Sequence, residues 1–230
     1  MLTLEGAVIE NGAFTLTANF IAAQGRIIAV IGPSGAGKST LIGGIAGFHP
    51  IKTGRILWAG ADITTLRPGQ RRVSMLFQDN NLFPHLTVAE NTGLGMRPDL
   101  KLDPAQRQKV SDALARVGLE GFETRKPAAL SGGQQSRAAL ARILVQNKPL
   151  ILLDEPFAAL GPALRNEMLD LVAELVAETG AALIMVTHAP EDVRRIADQV
   201  VFVAEGRAEA PQPAAALMDN PPPALRAYLG

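Results

Sequence analysis

The segment from residue 32 to residue 39 carries the clearest chemistry in this sequence. It matches the pattern G-x-x-x-x-G-K-[S/T] and reads Gly32-Pro33-Ser34-Gly35-Ala36-Gly37-Lys38-Ser39. An apolar run, Ile27 to Ile31, precedes it, and a helical run, Thr40 to Ala46, follows it. Glycines let backbone N–H groups surround phosphate oxygens, while Lys38 is suited to the β and γ phosphates and Ser39 to Mg²⁺. The pattern predicts a phosphate-binding loop; the alternative is a flexible glycine turn.

Two carboxylates follow the apolar run Leu150 to Leu153, namely Asp154 and Glu155. Ligands of an open parallel sheet gather beyond the carboxyl ends of its strands. There Asp154 is suited to hold Mg²⁺, often through water, and Glu155 to orient and polarise an attacking water. Taken alone, the pair is equally an acidic strand end that faces solvent. Together with the phosphate loop it predicts phosphoryl transfer, which needs a metal-binding carboxylate.

A second glycine-rich segment reads Leu130-Ser131-Gly132-Gly133-Gln134. Ser131 with Gln134 three residues later is a capping box that opens a helix. Two consecutive glycines cost helix stability, so their presence indicates that another group approaches the backbone closely. A helix start suits phosphate, and both interpretations can hold together.

With these motifs in place, residues 2–206 resemble the ATP-binding cassette (ABC) family. The resemblance rests on the phosphate loop, the segment 130–134, the Asp154-Glu155 strand, Gln78 after Met75-Leu76-Phe77, and His188 after residues 184–187. In that family the segment that corresponds to residues 130–134 is called the signature. The signature of one subunit caps the γ phosphate held by the phosphate loop of the other. The resemblance therefore implies ATP and Mg²⁺, and a head-to-tail homodimer with two composite sites.

The resemblance also implies a role for each site residue. Glu155 and His188 would be catalytic, with His188 contacting the γ phosphate and the attacking water. Gln78 would touch Mg²⁺ together with Ser39 and Asp154, and would sense a transmembrane partner. The ATP-binding residues would be Gly32, Pro33, Ser34, Gly35, Ala36, Gly37, Lys38, Ser39, Thr40 and Gln78. Those acting in trans would be Ser131, Gly132, Gly133 and Gln134.

Residue types alone leave other interpretations open. Gln78 is equally an ordinary polar strand end, and His188 is equally a cap on the turn before Pro190. His49 and His85 fit no ligand spacing and are interpreted as structural or surface residues.

The sequence departs from the family pattern at three places. Gly161 stands where the family usually has an aspartate, so a carboxylate that couples the two sites is missing. The run Gln135-Ser136-Arg137 is poorer in arginine than usual, although Arg137 keeps one cation. Asn11 occupies the position of the aromatic that stacks on adenine, with Phe14 as a substitute nearby. We expect the change at residues 135–137 to tune the site rather than abolish it. The missing aromatic predicts modest nucleotide affinity or a different mode of base recognition.

Short apolar runs predict an α/β fold. The runs 27–31, 73–77, 150–153, 182–186 and 200–203 are continuous rather than alternating, which is typical of parallel strands buried on both faces. Residues 2–26 and 54–70 indicate an antiparallel sheet, and Asp103-Pro104 indicates a helix start. The expected architecture is one ABC ATPase domain over residues 1–230. Its core with the antiparallel part covers about 1–83 and 149–206, its helical signature subdomain about 84–148, and its short tail, a small appendage without a core of its own, 207–230.

Composition narrows the function further. Twenty-two Lys and Arg balance 22 Asp and Glu, so the basic surface of a nucleic-acid binder is not expected. Cysteine is absent, which excludes disulfides and thiolate sites. No apolar run reaches the roughly 18–20 residues of a spanning helix. The resemblance therefore implies a peripheral position on the cytoplasmic face of the bacterial inner membrane.

Two classes of ABC ATPase remain: the motor of a membrane transporter, and a soluble ATPase acting on ribosomes, DNA or the division apparatus. Leu82, Phe83 and Leu86 follow Gln78, where family members receive a helix of the membrane subunit; local core packing is the alternative. A single cassette without a coiled-coil insertion favours the transporter. Permease subunits, and indirectly a periplasmic or extracellular solute-binding protein, are the implied partners.

Within the transporters, import is favoured because exporters commonly fuse the cassette to membrane helices. Residues 74–83 and 93–95 are similar to the ATPases of bacterial thiamine importers. Thiamine or thiamine phosphates are therefore the expected solutes. An importer or exporter of metals, polyamines or amino acids is the alternative, since the cassette itself never touches the solute.

Overall fold

The computed structural model describes residues 1–229, in which strands and helices alternate. The strands are β1 Leu2–Asn11, β2 Phe14–Ala22, β3 Ile27–Ile31, β4 Ile51–Trp58, β5 Ala61–Asp62, β6 Val73–Leu76, β7 Leu150–Asp154, β8 Ala182–Val186, β9 Gln199–Ala204, β10 Arg207–Ala208 and β11 Gln212–Pro213. The α-helices are α1 Lys38–Ala46, α2 Val88–Gly93, α3 Pro104–Arg116, α4 Gly132–Gln146, α5 Pro162–Thr179, α6 Pro190–Ile196, α7 Ala214–Asp219 and α8 Pro223–Leu229. Each of the five predicted apolar runs coincides with a strand.

Strands β9, β3, β8, β7 and β6 lie side by side in that order, and all pair in parallel. This confirms the predicted α/β fold. Because parallel strands end at the same edge, the segments after β3, β7 and β8 come together there. These three segments carry the phosphate loop, the two carboxylates and His188, respectively.

The antiparallel part extends the sheet on the β9 side, where β1 pairs with β2 and β4. The short strand β10 joins the two parts by pairing with both β2 and β9. The prediction that the second antiparallel segment covers residues 54–70 was wrong at both ends. Strand β4 begins at Ile51, which pairs with Ile9, and residues 68–70 form a 3-10 turn.

Helices α2, α3 and α4 lie between β6 and β7 in the chain and share an apolar cluster that includes Val110, Leu114 and Leu130. The predicted helix start is confirmed, because Asp103 accepts a hydrogen bond from the Gln106 N–H at 2.8 Å. Among the described residues, none of the helices has both the length and the apolar character that crossing a bilayer demands.

The segment after residue 207 packs onto the parallel sheet. Its buried side chains include Leu217, Met218 and Leu225, which join Ile31 and Phe202 in one apolar cluster. The interpretation of the tail as a small appendage was wrong, because it completes the core of the main sheet.

A buried arginine fixes the far end of α1. The guanidinium of Arg71 donates to the carbonyls of Gly44 and Ile45 in the last turn of α1 at 2.8 and 2.7 Å, and to those of Leu66 and Thr64 at 2.9 Å each. The residue is only 3% exposed, and its burial lowers the pKa of Arg71. Carbonyls at a helix C-terminus carry partial negative charge, so they stabilise this cation. Arg71 therefore ties the helix of the phosphate loop to the start of β6.

Replacing Arg71 with glutamine should lower the free energy of unfolding by about 2–4 kcal/mol, because buried carbonyls lose their donors. Urea denaturation measures this loss. Arg72→Gln is the matched control, since Arg72 is exposed, and it should change stability by less than about 0.5 kcal/mol. Equal midpoints for the two variants would contradict the role of Arg71.

Candidate active site

The phosphate loop follows β3 and leads directly into α1. Gly32 has a φ angle of 149°, and a Cβ there would collide with the carbonyl oxygen of Val203. Gly37 has a φ angle of 108°, and a Cβ there would lie 2.8 Å from the ring of Phe14. Both positions therefore require glycine, for backbone conformation as well as for space.

Lys38 is the first residue of α1 and only 5% exposed. Its Nζ donates to the carbonyls of Gly32 and Pro33 at 2.8 and 2.9 Å. Burial lowers the pKa of Lys38, while the charges of Glu155 and Asp154 oppose this shift. An ammonium has three N–H donors, so these two contacts hold the side chain under the loop and leave one donor for a phosphate.

Ser39 and Asp154 meet across the sheet edge, where the hydroxyl donates to Oδ1 of Asp154 at 3.1 Å. Burial raises the pKa of Asp154; the Ser39 hydrogen bond opposes the shift and the charge of Glu155 adds to it. A hydroxyl and a carboxylate are the oxygen ligands that Mg²⁺ takes in phosphate sites, so the pair fits this ion. Within residues 1–229 no three His, Cys, Asp or Glu side chains converge to hold a metal by themselves.

Glu155 has a φ angle of 48°, in the left-handed region, which costs a residue with a side chain roughly 1 kcal/mol or more. Its N–H still donates to the carbonyl of Val186 in β8 at 3.2 Å. The side chain is 19% exposed, and its Oε1 lies 2.7 Å from Nε2 of His188. Glu155 is thus held in the site, and the alternative of an acidic strand end facing solvent is wrong.

His188 follows β8 and contacts two side chains through its two ring nitrogens. Besides Glu155 at Nε2, the hydroxyl of Tyr228 lies 3.3 Å from Nδ1. The interpretation of His188 as a turn cap is wrong, because Oγ1 of Thr187 accepts the hydrogen bond of the Ala189 N–H.

A cavity of about 470 Å³ opens above the phosphate loop. The lining comes from the phosphate loop and the start of α1, from Glu155 and His188, and from the end of β1 and the start of β2. It consists of Asn11, Phe14, Ser34, Gly35, Gly37, Lys38, Ser39, Thr40, Glu155 and His188. The volume lies within the range of small-molecule sites. The structure therefore brings the phosphate loop, Glu155 and His188 into one site.

Gln78 lies at the same sheet edge but does not line this cavity. It follows β6, whose last residue Leu76 is in register with Leu153, two residues before Glu155. Its side chain is exposed. The roles of Gln78 at Mg²⁺ and toward a membrane partner stay predictions.

The signature segment opens α4 at a separate place. Ser131 and Gln134 form the predicted capping box, with N–H to side-chain distances of 3.3 Å and 2.9 Å. A Cβ on Gly132 would meet no atom of the described residues, whereas one on Gly133 would collide with Leu164. The structure thus gives a packing reason for Gly133 and leaves the start of α4 at Gly132 accessible.

The three departures from the family pattern have distinct structural outcomes. Gly161 precedes α5 and provides no side-chain cap for it. Arg137 pairs with both carboxylate oxygens of Glu167 at 2.8 and 2.9 Å and so links α4 to α5. Phe14 and Asn11 both line the cavity, so an aromatic side chain is present there.

Two residues that sequence reasoning missed hold the segment after Gln78. Asn91 is fully buried and exchanges hydrogen bonds with the backbone N–H and carbonyl of Phe83 at 2.8 and 3.0 Å. Arg142 of α4 donates to Oδ1 of Asn91 at 2.9 Å and to the carbonyl of Asn81 at 3.0 Å. This network joins the segment to the signature helix. Only the tertiary structure reveals it, because a lone asparagine and a lone arginine give no signal at the sequence level.

Comparison with known proteins agrees with this site. Residues 16–158 match the family described as ABC transporter, which includes the phosphate loop, the signature and both carboxylates. The chain belongs to the ABC transporter family of ATP-binding subunits, and as such it binds and hydrolyses ATP. The resemblance and the cassette fold inferred from the sequence are confirmed.

Individual relatives are more specific. The chain is 62% identical to the Thiamine import ATP-binding protein ThiQ of Ruegeria sp. (strain TM1040) and 61% identical to the protein of that name in Cereibacter sphaeroides. Each alignment covers 100% of this chain and 100% of the relative. A dimeric ATP-binding cassette bound to ADP and Pi has a TM-score of 0.82 and 28% identity, covering 93% of this chain and 99% of that one. A nucleotide-free cassette from an ABC transporter has a TM-score of 0.86 and 25% identity, covering 100% and 99%.

Glu155→Gln should retain ATP binding but lower turnover by about 10²-fold or more, because the amide keeps the shape of the side chain and no longer accepts a proton. Steady-state ATPase assays and equilibrium ATP binding separate the two effects. Lys38→Ala should instead weaken ATP binding, since the phosphates lose a buried cation.

Glu120→Gln is the matched control, because this exposed carboxylate lies outside the cavity and should leave turnover unchanged. Near-normal hydrolysis by Glu155→Gln would remove Glu155 from the catalytic role.

Proposed function

We propose that this chain is the ATP-hydrolysing motor of a bacterial importer for thiamine or thiamine phosphates. The observation that carries the ATPase assignment is the single cavity in which Lys38, Ser39, Glu155 and His188 converge. The solute assignment is supported by full-length identity of 61–62% to proteins named for thiamine import.

The geometry accounts for hydrolysis step by step. The phosphates of ATP lie on the backbone N–H groups of the loop and on Lys38, which neutralises their charge. Glu155 polarises a water for in-line attack on the γ phosphorus and accepts its proton, while the bond to the leaving ADP oxygen breaks. His188 holds the carboxylate of Glu155 through its 2.7 Å contact and faces the same cavity. The products are ADP and inorganic phosphate.

Ser39 and Asp154 would hold Mg²⁺, with Gln78 as a further ligand from the neighbouring strand. When bound, this ion would supply positive charge that offsets the negative charge developing on the phosphates. Its charge would also offset the mutual repulsion of Asp154 and Glu155, which contributes to the raised pKa of Asp154.

Two copies of the chain would share their sites in a head-to-tail dimer. The accessible helix start at Ser131 and Gly132 belongs to a different element from the cavity, so it is free to cap the γ phosphate on a partner's phosphate loop. A similar solved cassette is dimeric and holds ADP and Pi.

The membrane partner would dock on the segment after Gln78. Leu82 packs into the core, which fits the local-packing interpretation, whereas Phe83 remains 44% exposed. Because Asn91 and Arg142 tie this segment to α4, movement of a docked permease helix would reach the signature residues. The chain would act as a peripheral subunit on the cytoplasmic membrane face, and a solute-binding protein would deliver thiamine to the permease from outside.

Site sharing predicts which mixed dimers hydrolyse ATP. A dimer with Lys38→Ala in one chain and Ser131→Arg in the other keeps one intact site, so it should retain measurable turnover. A dimer with both changes in one chain and none in the other has no intact site, and it should be inactive. Differently tagged, purified mixed dimers provide the measurement. The reverse pattern of activity would exclude shared sites.

The solute and the docking surface are tested together in a strain that lacks this protein and any second thiamine route. Uptake of labelled thiamine at limiting concentration should be lost, and the wild-type chain should restore it while Glu155→Gln should not. Phe83→Asp should fail to restore uptake although the purified variant still binds ATP, because a charge interrupts the apolar contact.

Ile21→Asp is the matched control, since Ile21 is 56% exposed on the antiparallel part of the sheet and the variant should restore uptake. Normal thiamine uptake without the protein would reject the solute assignment and leave the ATPase assignment standing.

A further inference from the structure

The C-terminal helix brings one side chain to the catalytic histidine of the same chain. Tyr228 on α8 is the only tyrosine of the sequence, and its hydroxyl lies 3.3 Å from Nδ1 of His188. The opposite ring nitrogen lies 2.7 Å from Glu155. A continuous chain of contacts therefore runs from the tail through the imidazole to the carboxylate that polarises water.

The chemistry of the three groups sets the direction of these hydrogen bonds. An ionised carboxylate only accepts, so Nε2 of His188 must carry a proton toward Glu155. In the neutral imidazole Nδ1 is then an acceptor, and the tyrosine hydroxyl is the donor that suits it. A flipped ring would place carbon atoms at both contacts. Glu155 thus selects the tautomer of His188, and the hydroxyl of Tyr228, by donating to Nδ1, holds the ring in one orientation.

The helix that carries Tyr228 is held in place by apolar packing against the parallel sheet. Leu225, three residues earlier on the same helix face, is fully buried in a cluster with Ile31 and Phe202. Burial raises the pKa of Tyr228 above its ordinary value. The hydroxyl therefore stays a donor at neutral pH.

A second link runs through the helix that directly follows His188. Arg194 of α6 donates to the carbonyl of Met218 at 2.7 Å and pairs with Asp219 at 2.9 Å, both at the end of α7. The tail is thus fastened to the element after the histidine as well as to the strand before the phosphate loop.

We propose that Tyr228 is a positioning residue for ATP hydrolysis, which holds the ring of His188 in the orientation that supports Glu155. This inference rests on the proposed catalytic roles of His188 and Glu155. It makes the C-terminal helix part of the catalytic site of its own subunit.

The test compares Tyr228→Phe with the wild-type full-length chain. Removing only the hydroxyl should lower kcat by about 3–10-fold and change KM for ATP by less than about twofold, because the phosphate contacts are untouched. Urea midpoints should coincide within error. Arg226→Gln on the same helix is the matched control: its exposed side chain contacts the carbonyl of Pro221 at 3.3 Å and does not line the cavity, so kcat should not change.

Nuclear magnetic resonance of the chain labelled with ¹⁵N at histidine detects the contact between Tyr228 and His188 without any ATP hydrolysis. Only His49, His85 and His188 contribute, and the His188→Gln variant assigns the third. Tyr228→Phe should shift the ring nitrogens of His188 and leave the other two histidines unchanged. The resonance of Nδ1 should move toward that of an acceptor without a hydrogen bond.

Three results would overturn the positioning role of Tyr228, and a fourth would instead refute the proposed function. A kcat of Tyr228→Phe within 1.5-fold of wild type, or an unchanged His188 spectrum, overturns the positioning role. A fall in kcat accompanied by a lower urea midpoint and a shift at all three histidines also overturns it, in favour of a purely structural tail. A wild-type chain without ATPase activity would refute the proposed function instead, while the spectrum would still report the Tyr228 contact.

Discussion

The buried ammonium of Lys38 is the constraint on which the rest of the site depends. A cation taken out of water needs nearby acceptors, and here they are two carbonyls of its own loop and the charges of Asp154 and Glu155. Those carboxylates come from a strand that is distant in sequence. The order of the parallel strands, β3-β8-β7, places these carboxylates beside the loop. The charge balance of the site therefore depends on the topology of the sheet.

Rigid support surrounds this charged centre. Arg71 fixes the far end of α1 by satisfying its last carbonyls, and the positive φ angle of Glu155 is maintained by pairing of its N–H with β8. On the other side, Asn91 and Arg142 join the segment after Gln78 to the signature helix. The segment after Gln78 and the signature helix α4 are thereby connected through packed, hydrogen-bonded elements.

Much of this could be predicted, for a physical reason. The phosphate loop is contiguous, and its glycines, lysine and serine specify their chemistry through local backbone geometry. The five core strands are continuous apolar runs, and the Ser131 and Asp103 capping boxes are local hydrogen-bond patterns. Predictions failed where a boundary depended on a distant partner, as at Ile51, which is a strand residue because it pairs with Ile9.

By itself the sequence determined the class of chemistry and the elements that carry it, because the motifs act over a few residues. The tertiary structure alone decided how His188 is used. Its two nitrogens meet Glu155, 33 positions away, and Tyr228, 40 positions away, and no local pattern encodes such contacts. It also decided that the alanine- and proline-rich tail belongs to the core, since burial of Leu225 depends on the surface that β3 and β9 expose. Side chains separated in sequence acquire a joint function only when strand order brings their strands and helices to one edge of the sheet.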